Sequence, residues 1–186
     1  MKSLIVSVNP SYFCNLRCPF CYLTKNQLQD KHTLDLNLLE IRLAELTTHF
    51  SIAKFDLYGG EFSVLDTSYQ KEVINRLKKN TDRPINIITN LVQFSDYFFD
   101  RTLDISVSFD FSARAHHEQV LKNISLLNRP ISILMLASPK LLEIDVEFMI
   151  QTFNIFKNIT SVEIKPYSSN QSNSLSIKFS EFEFFV

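Results

Sequence analysis

The sequence predicts an α/β protein, a partial (β/α)6 TIM-like barrel of parallel strands. Short β-branched or apolar runs alternate with amphipathic stretches, the mark of parallel βαβ units and not of a sandwich. The alternation repeats six times within 186 residues. A closed eight-stranded barrel usually needs about 250 residues, so six strands in an open or partial barrel suit this length better.

The elements follow in order. Strand one is about Leu4 to Val8, and a long loop after it carries all the cysteines. Leu36, Leu39, Leu43, Leu46 and Phe50 then recur at three- and four-residue spacing and predict one apolar helix face. Strand two is Lys54 to Tyr58. Asp66 is the expected N-cap of a second helix, with Tyr69, Val73, Ile74 and Leu77 inward and Lys78 and Lys79 near its C-terminal end. Strand three is Ile85 to Ile88, after Pro84. An aromatic segment around Phe94 to Phe99 leads to strand four, Leu103 to Val107. A helix carrying Val120, Leu121, Ile124 and Leu127 ends at Asn128-Arg129-Pro130. Strand five is Ile131 to Leu136, a further helix runs from about Asp145 to Phe156, and strand six is Ser161 to Ile164.

Composition narrows the class. The chain is 45% hydrophobic and 21% charged, enough to bury a core. Its 19 basic and 20 acidic residues are interspersed for a net charge of -1, so no basic block offers a phosphate-tracking surface and nucleic acid is a disfavoured partner. The first ten residues hold one lysine and an apolar run broken by Ser and Asn, too little for a signal peptide or a spanning helix. A cytoplasmic protein with no membrane partner is expected. No repeat or linker interrupts the chain, so residues 1–186 are expected to form a single core domain. Ser180-Glu181-Phe182-Glu183 reads as a capping box opening a helix, and the sequence stops barely two turns later, so the core is expected to continue past Val186.

Two local features carry chemistry. The first is Cys14-Asn15-Leu16-Arg17-Cys18-Pro19-Phe20-Cys21-Tyr22, a C-x3-C-x2-C spacing in a loop directly after a strand. Three cysteines this close gain little from a disulfide and would leave one over. Three thiolates can hold three irons of a cubane cluster and leave the fourth open to a chelating ligand. Taken alone, the cysteines suit zinc completed by His32 equally well. The second feature is glycine usage. A chain of this length normally carries about 7% Gly, whereas only Gly59 and Gly60 occur here, side by side before Glu61. They mark either a strand-end turn or a point that needs bare backbone. His49, His116 and His117 read as surface or half-buried histidines.

The cysteine segment resembles the cluster motif of the radical S-adenosylmethionine (SAM) superfamily, with aromatic Phe20 before the third cysteine, and Tyr58-Gly59-Gly60-Glu61 resembles that family's Gly-Gly-Glu motif. Weaker matches come in the family's order: Thr89-Asn90 after strand three, Ser108-Phe109-Asp110 after strand four and Lys165-Pro166-Tyr167 after strand six. The resemblance implies a [4Fe–4S] cluster on Cys14, Cys18 and Cys21 and SAM held on its open iron. It implies reductive cleavage of SAM to a 5′-deoxyadenosyl radical that abstracts hydrogen from a peptide or small-molecule substrate, with an electron donor such as a flavodoxin or ferredoxin as partner. No catalytic side chain is singled out.

For the individual residues, the resemblance implies that Gly59, Gly60 and Glu61 meet the amino-acid end of SAM and Phe20 meets the adenine. Thr89, Asn90, Ser108, Asp110 and Lys165 are its further cofactor-site candidates. Four of these five also have a plain structural reading: Thr89 and Asn90 as caps, Asp110 as a helix N-cap, Lys165 as a solvated strand end. Leu91 stands where the family often has glycine, and Leu136-Ala137-Ser138-Pro139 replaces a glycine-rich pattern. A nucleotide- or pterin-modifying enzyme and a zinc-binding interaction module on Cys14, Cys18, Cys21 and His32 are the alternatives.

Overall fold

The computed structural model describes residues 1–167 and 177–178; the helix expected from Ser180 lies outside the described residues. Six strands form one sheet in the order β1-β2-β3-β4-β5-β6: β1 Lys2–Val8, β2 Phe50–Leu57, β3 Ile85–Thr89, β4 Leu103–Ser108, β5 Ile131–Ala137 and β6 Ile159–Pro166. An order with no strand skipped is the order of the partial (β/α)6 barrel that the alternation predicts. The helices between the strands are α1 Leu36–Thr47, α2 Thr67–Lys78, α3 His117–Leu126, α4 Pro139–Leu142 and α5 Val146–Asn154. Among the described residues, no helix is long and apolar enough to cross a membrane.

Two compact units share the chain. The first comprises Met1–Asn15, Asn26–Thr89 and Gln93–Ile105. Within it β1, β2 and β3 pair in parallel, and Phe55, Leu57, Ile85 and Ile87 lie fully buried, as do Val73 and Leu77 of α2. Burying each such side chain stabilises by about 1.5–3 kcal/mol relative to exposure. Asp66 caps α2 as expected, accepting from the backbone N–H groups of Ser68 and Tyr69. Asp35 does the same for α1.

Phe50 corrects the expected helix face: it opens β2 instead. α1 stops at Thr47 because the hydroxyls of Thr47 and Thr48 donate to the carbonyls of Ala44 and Glu45, drawing the last turn onto side chains. β2 therefore starts four residues before Lys54. Its register against β1 shifts between Leu4 and Ile5, where Ala53 is the extra residue, and this breaks the period-two pattern by which the strand would be read.

The second unit comprises Leu16–Lys25, Asn90–Val92 and the chain from Ser106 onward. β5 alternates strictly, with Ile131, Ile133, Met135 and Ala137 buried. Val120 and Ile124 of α3 are buried too, as the sequence predicts. The short α4 was not foreseen. Ser138 caps it by accepting from Leu141 N–H, and Pro139 sits where a missing N–H costs nothing. An aromatic group of Phe109, Phe111, Phe148 and Phe153, with ring centroids 4.8–6.0 Å apart, fills the space beside α5.

Candidate cofactor site

Unit one presents the Gly-Gly-Glu segment at the carboxyl end of β2. Tyr58 N–H donates to Val8 O, Gly60 N–H to Ser11 O and Glu61 N–H to Phe13 O, so the segment continues the β1–β2 pairing alongside the start of the cysteine loop. The glycine pair is explained by this approach. A Cβ on Gly60 would lie 2.1 Å from Phe13 O, and one on Gly59, whose φ is +133°, would lie 1.9 Å from Asn9 Oδ1. Both distances are far inside van der Waals contact, so bare backbone is required at both positions.

Glu61 is buried at the end of this segment. Its Oε1 accepts from Ser63 N–H at 3.0 Å, from Ser63 Oγ at 2.7 Å and from Thr89 Oγ1 at 2.8 Å. The sequence-predicted pair Glu61 and Thr89 are thus brought together, with Thr89 orienting the carboxyl group from the end of β3. Ser63 was not foreseen, although a hydroxyl two residues past a strand-end glutamate is a local turn signal. Tyr97 lies buried nearby, and burial with the adjacent Glu61 carboxyl pushes its phenol well above the ordinary range. Cys14 is half-buried; its N–H donates to Leu28 O and its Sγ lies 3.9 Å from Asn15 Oδ1. His32 is 95% exposed and paired through Nδ1 with Asp30 at 2.5 Å.

Unit two gathers Cys18, Phe20, Cys21 and Asp110. A turn closes between Cys21 N–H and Cys18 O at 3.1 Å, and Cys21 Sγ accepts from Leu23 N–H at 3.4 Å. None of the three cysteines is in a disulfide. Asp110 is fully buried, but not as the N-cap considered from the sequence: its side chain makes no capping bond to the turn at Phe111–Ala113. Oδ1 instead accepts from Leu136 N–H of β5 at 2.5 Å, and Oδ2 takes the Arg114 guanidinium through Nε at 2.8 Å and Nη2 at 2.6 Å.

Arg114, which the sequence reading passed over, ties these residues together. Its Nη1 donates to Cys18 Sγ at 3.3 Å and its Cζ lies 5.2 Å from the Phe20 ring centroid, over the face proposed for adenine. The only signal for it was a four-residue spacing from Asp110, which surface ion pairs share. Burial pushes the Cys18 thiol up, the Arg114 guanidinium pulls it back, and Cys21 and Asp110 push it up again; the balance is above the ordinary value. Burial likewise raises the Asp110 carboxyl, against the pull of Arg114 and the Leu136 N–H.

The remaining candidates separate. Asn90 is buried and accepts from Val92 N–H at 3.0 Å, forming an Asx turn. Leu91 within that turn has φ +51°, a conformation that glycine adopts more readily, and α3 secures the turn by Asn123 Nδ2 donating to Leu91 O at 2.8 Å. Ser108 ends β4 half-buried. Lys165 is an exposed strand residue 3.5 Å from Glu163, as its plain reading has it. His116 is exposed at the N-cap of α3 with φ +62°, and His49 is exposed before β2.

No family model matches the chain. Over 158 residues it is 25% identical to a cysteine-type anaerobic sulfatase-maturating enzyme of Clostridium novyi, an alignment spanning 69% of this chain and 41% of that protein. Among solved structures, anSMEcpe with AdoMet and a peptide bound superposes with a TM-score of 0.72 at 13% identity, covering all of this chain and 58% of the other. SuiB of Streptococcus suis bound to S-adenosylmethionine follows with 0.69 at 14% identity, covering 99% and 43%. The chain thus spans less than two thirds of each of these three proteins. The curated sequence bears out the resemblance to the radical SAM superfamily that the motifs carry, and the two solved structures share the fold.

Proposed function

We propose that this chain is the core of a radical SAM enzyme acting on a peptide. The single observation that carries the reading is the cysteine loop with its C-x3-C-x2-C spacing, set after β1 of a fold shared with proteins solved with AdoMet bound. The peptide substrate rests on the sulfatase-maturating relative and on the neighbour solved with a peptide.

Cys14, Cys18 and Cys21 would hold a [4Fe–4S] cluster, three thiolates being the usual protein share of a cluster with one open iron. Among the described residues no three His, Cys, Asp or Glu side chains stand ready-gathered as an ion site. The fit therefore rests on the chemistry of the donor set: three half-buried thiols outside any disulfide, one of them beside a cation. Zinc is the weaker reading, because His32, its fourth ligand, is exposed and engaged by Asp30. Once reduced, the cluster supplies the electron that cleaves SAM. The protein's own part is to hold the ammonium of SAM at the Glu61 carboxyl, oriented by Ser63 and Thr89, and to keep the Gly59–Gly60 backbone close beside it. An external electron donor of the flavodoxin or ferredoxin class completes the scheme.

Anaerobically reconstituted protein is expected to be brown, absorbing near about 400 nm. Cys18→Ala should lose that colour, most of its iron and all SAM cleavage. Full iron content with undiminished SAM cleavage in Cys18→Ala would overturn the assignment, and colourless zinc-loaded protein would favour the interaction module.

A further inference from the structure

We propose that Arg114 is a positioning residue for the cluster, anchored by Asp110 so that one N–H is aimed at the Cys18 sulfur. The inference rests on the cluster reading above and concerns the set of Cys18, Phe20, Asp110 and Arg114 within unit two.

A guanidinium carries five N–H donors in a rigid plane. Nε and Nη2 of Arg114 are committed to Asp110 Oδ2, and this fixes the plane and leaves Nη1 on the Cys18 side, 3.3 Å from Sγ. Asp110 in turn cannot swing, because its other oxygen is tied to the backbone of β5 at Leu136. The Phe20 ring closes one face of the guanidinium at 5.2 Å. The whole array is sheltered: the Arg114 side chain is 15% exposed and that of Asp110 0%.

Such an arrangement is more than a surface ion pair needs. Burying a carboxylate and a guanidinium is costly, and apolar residues of similar volume would often serve stability as well. What the pair adds here is a fixed donor on a sulfur. An N–H···S bond draws electron density from a thiolate ligand, stabilising the more negative, reduced cluster and raising its potential. Because Asp110 and Arg114 cancel in charge, the effect is directed at one ligand and does not depend on net positive charge. The backbone serves the same end. Phe111 takes φ +48° after Asp110, starting the tight turn that returns Arg114 toward the cysteine loop.

The test compares wild-type protein with Arg114→Lys, Arg114→Gln and the double variant Asp110→Asn/Arg114→Gln. The double variant removes both buried charges together, so it retains a route to a folded protein if Arg114→Gln alone fails. Each is reconstituted anaerobically and read by iron and sulfide content, rate of iron loss to a chelator, and cluster midpoint potential by redox titration. Thermal unfolding of the iron-free chains is read in parallel. Loss of an outer-shell partner is expected to speed iron loss about 10-fold or more and to move the potential negative in both glutamine variants. Arg114→Lys should recover part of the effect, since a single ammonium cannot serve Asp110 and Cys18 with the same fork. Wild-type retention and potential in Arg114→Gln, or in the double variant if the single does not fold, would overturn the inference alone. A wild-type chain that takes up no iron and sulfide would overturn the cluster reading, and the inference with it.

Discussion

Glu61 and Asp110 are both carboxyl groups buried at a strand end, one following β2 and the other β4, and they are held in opposite ways. Three neutral donors meet Glu61 Oε1: the Ser63 N–H, the Ser63 hydroxyl and the Thr89 hydroxyl. Neutral donors orient a carboxyl group without cancelling a negative charge, so the group can still answer a cationic ligand. Asp110 is met by a guanidinium through two N–H groups and by a backbone N–H, which cancels its charge inside the protein. Although both stand in motifs that the sequence marks as cofactor-binding, their surroundings suit one to binding and the other to fixing Arg114.

The largest expected effect breaks the second arrangement. Asp110→Ala removes the anion and strands a largely buried guanidinium, and removing one member of a buried ion pair costs about 3–5 kcal/mol. Urea unfolding of the iron-free chain measures it. A loss below about 1 kcal/mol would show the pair behaving like an exposed one, and the contrast with Glu61 would collapse.

Glu61→Gln comes next, and it should act on binding more than on folding. The amide oxygen can still accept from Ser63 and Thr89, so stability should change by about 1 kcal/mol or less. SAM affinity should fall by about 1–2 kcal/mol, roughly 5- to 30-fold, as the ammonium exchanges an anionic acceptor for a neutral amide oxygen. Calorimetric titration of SAM into both proteins decides it. Equal affinities would mean that Glu61 is, like Asp110, an internal support.

The two motifs were unequally legible from the sequence, and the reasons are physical. Gly59-Gly60-Glu61 announces itself because a glycine-poor chain keeps its pair where any Cβ would strike backbone or Asn9. The Asp110 motif conceals its main partner, since Arg114 reaches Cys18 only through a turn whose first residue, Phe111, takes a left-handed backbone. Such backbone ordinarily falls to glycine. Leu91, Phe111 and His116 adopt it nonetheless. For Leu91 the magnitudes favour the exchange: the conformation costs about 1–2 kcal/mol, and complete burial of the side chain returns about 1.5–3 kcal/mol. Strand order and helix faces were readable because hydrophobic period records them, and β2 was misread at its start because a register shift erases the period.

The smallest effect belongs to a control in unit one, the pair of Asp100 and Lys78. Its separation is close to that of Asp110 and Arg114, with Nζ 2.7 Å from Oδ2, but its side chains are 33% and 37% exposed. Burial is the largest single influence and pushes the Asp100 carboxyl up, but hydrogen bonds from Lys78 and Thr102, with the Lys78 charge, together outweigh it and lower the carboxyl to about 2. A carboxyl whose folded value lies below its unfolded one contributes stability above the unfolded value and loses it as pH falls through the folded one. The contribution of Asp100 is therefore complete above about pH 4 and gone below about pH 2. Asp100→Asn should cost no more than about 1 kcal/mol at pH 7, since solvent screens a pair this exposed, and the difference from wild type should shrink as pH falls through that window. Paired urea unfolding curves at several pH values test it. A cost near that of Asp110→Ala, or one unchanged at low pH, would show that geometry and not burial sets the strength of these pairs.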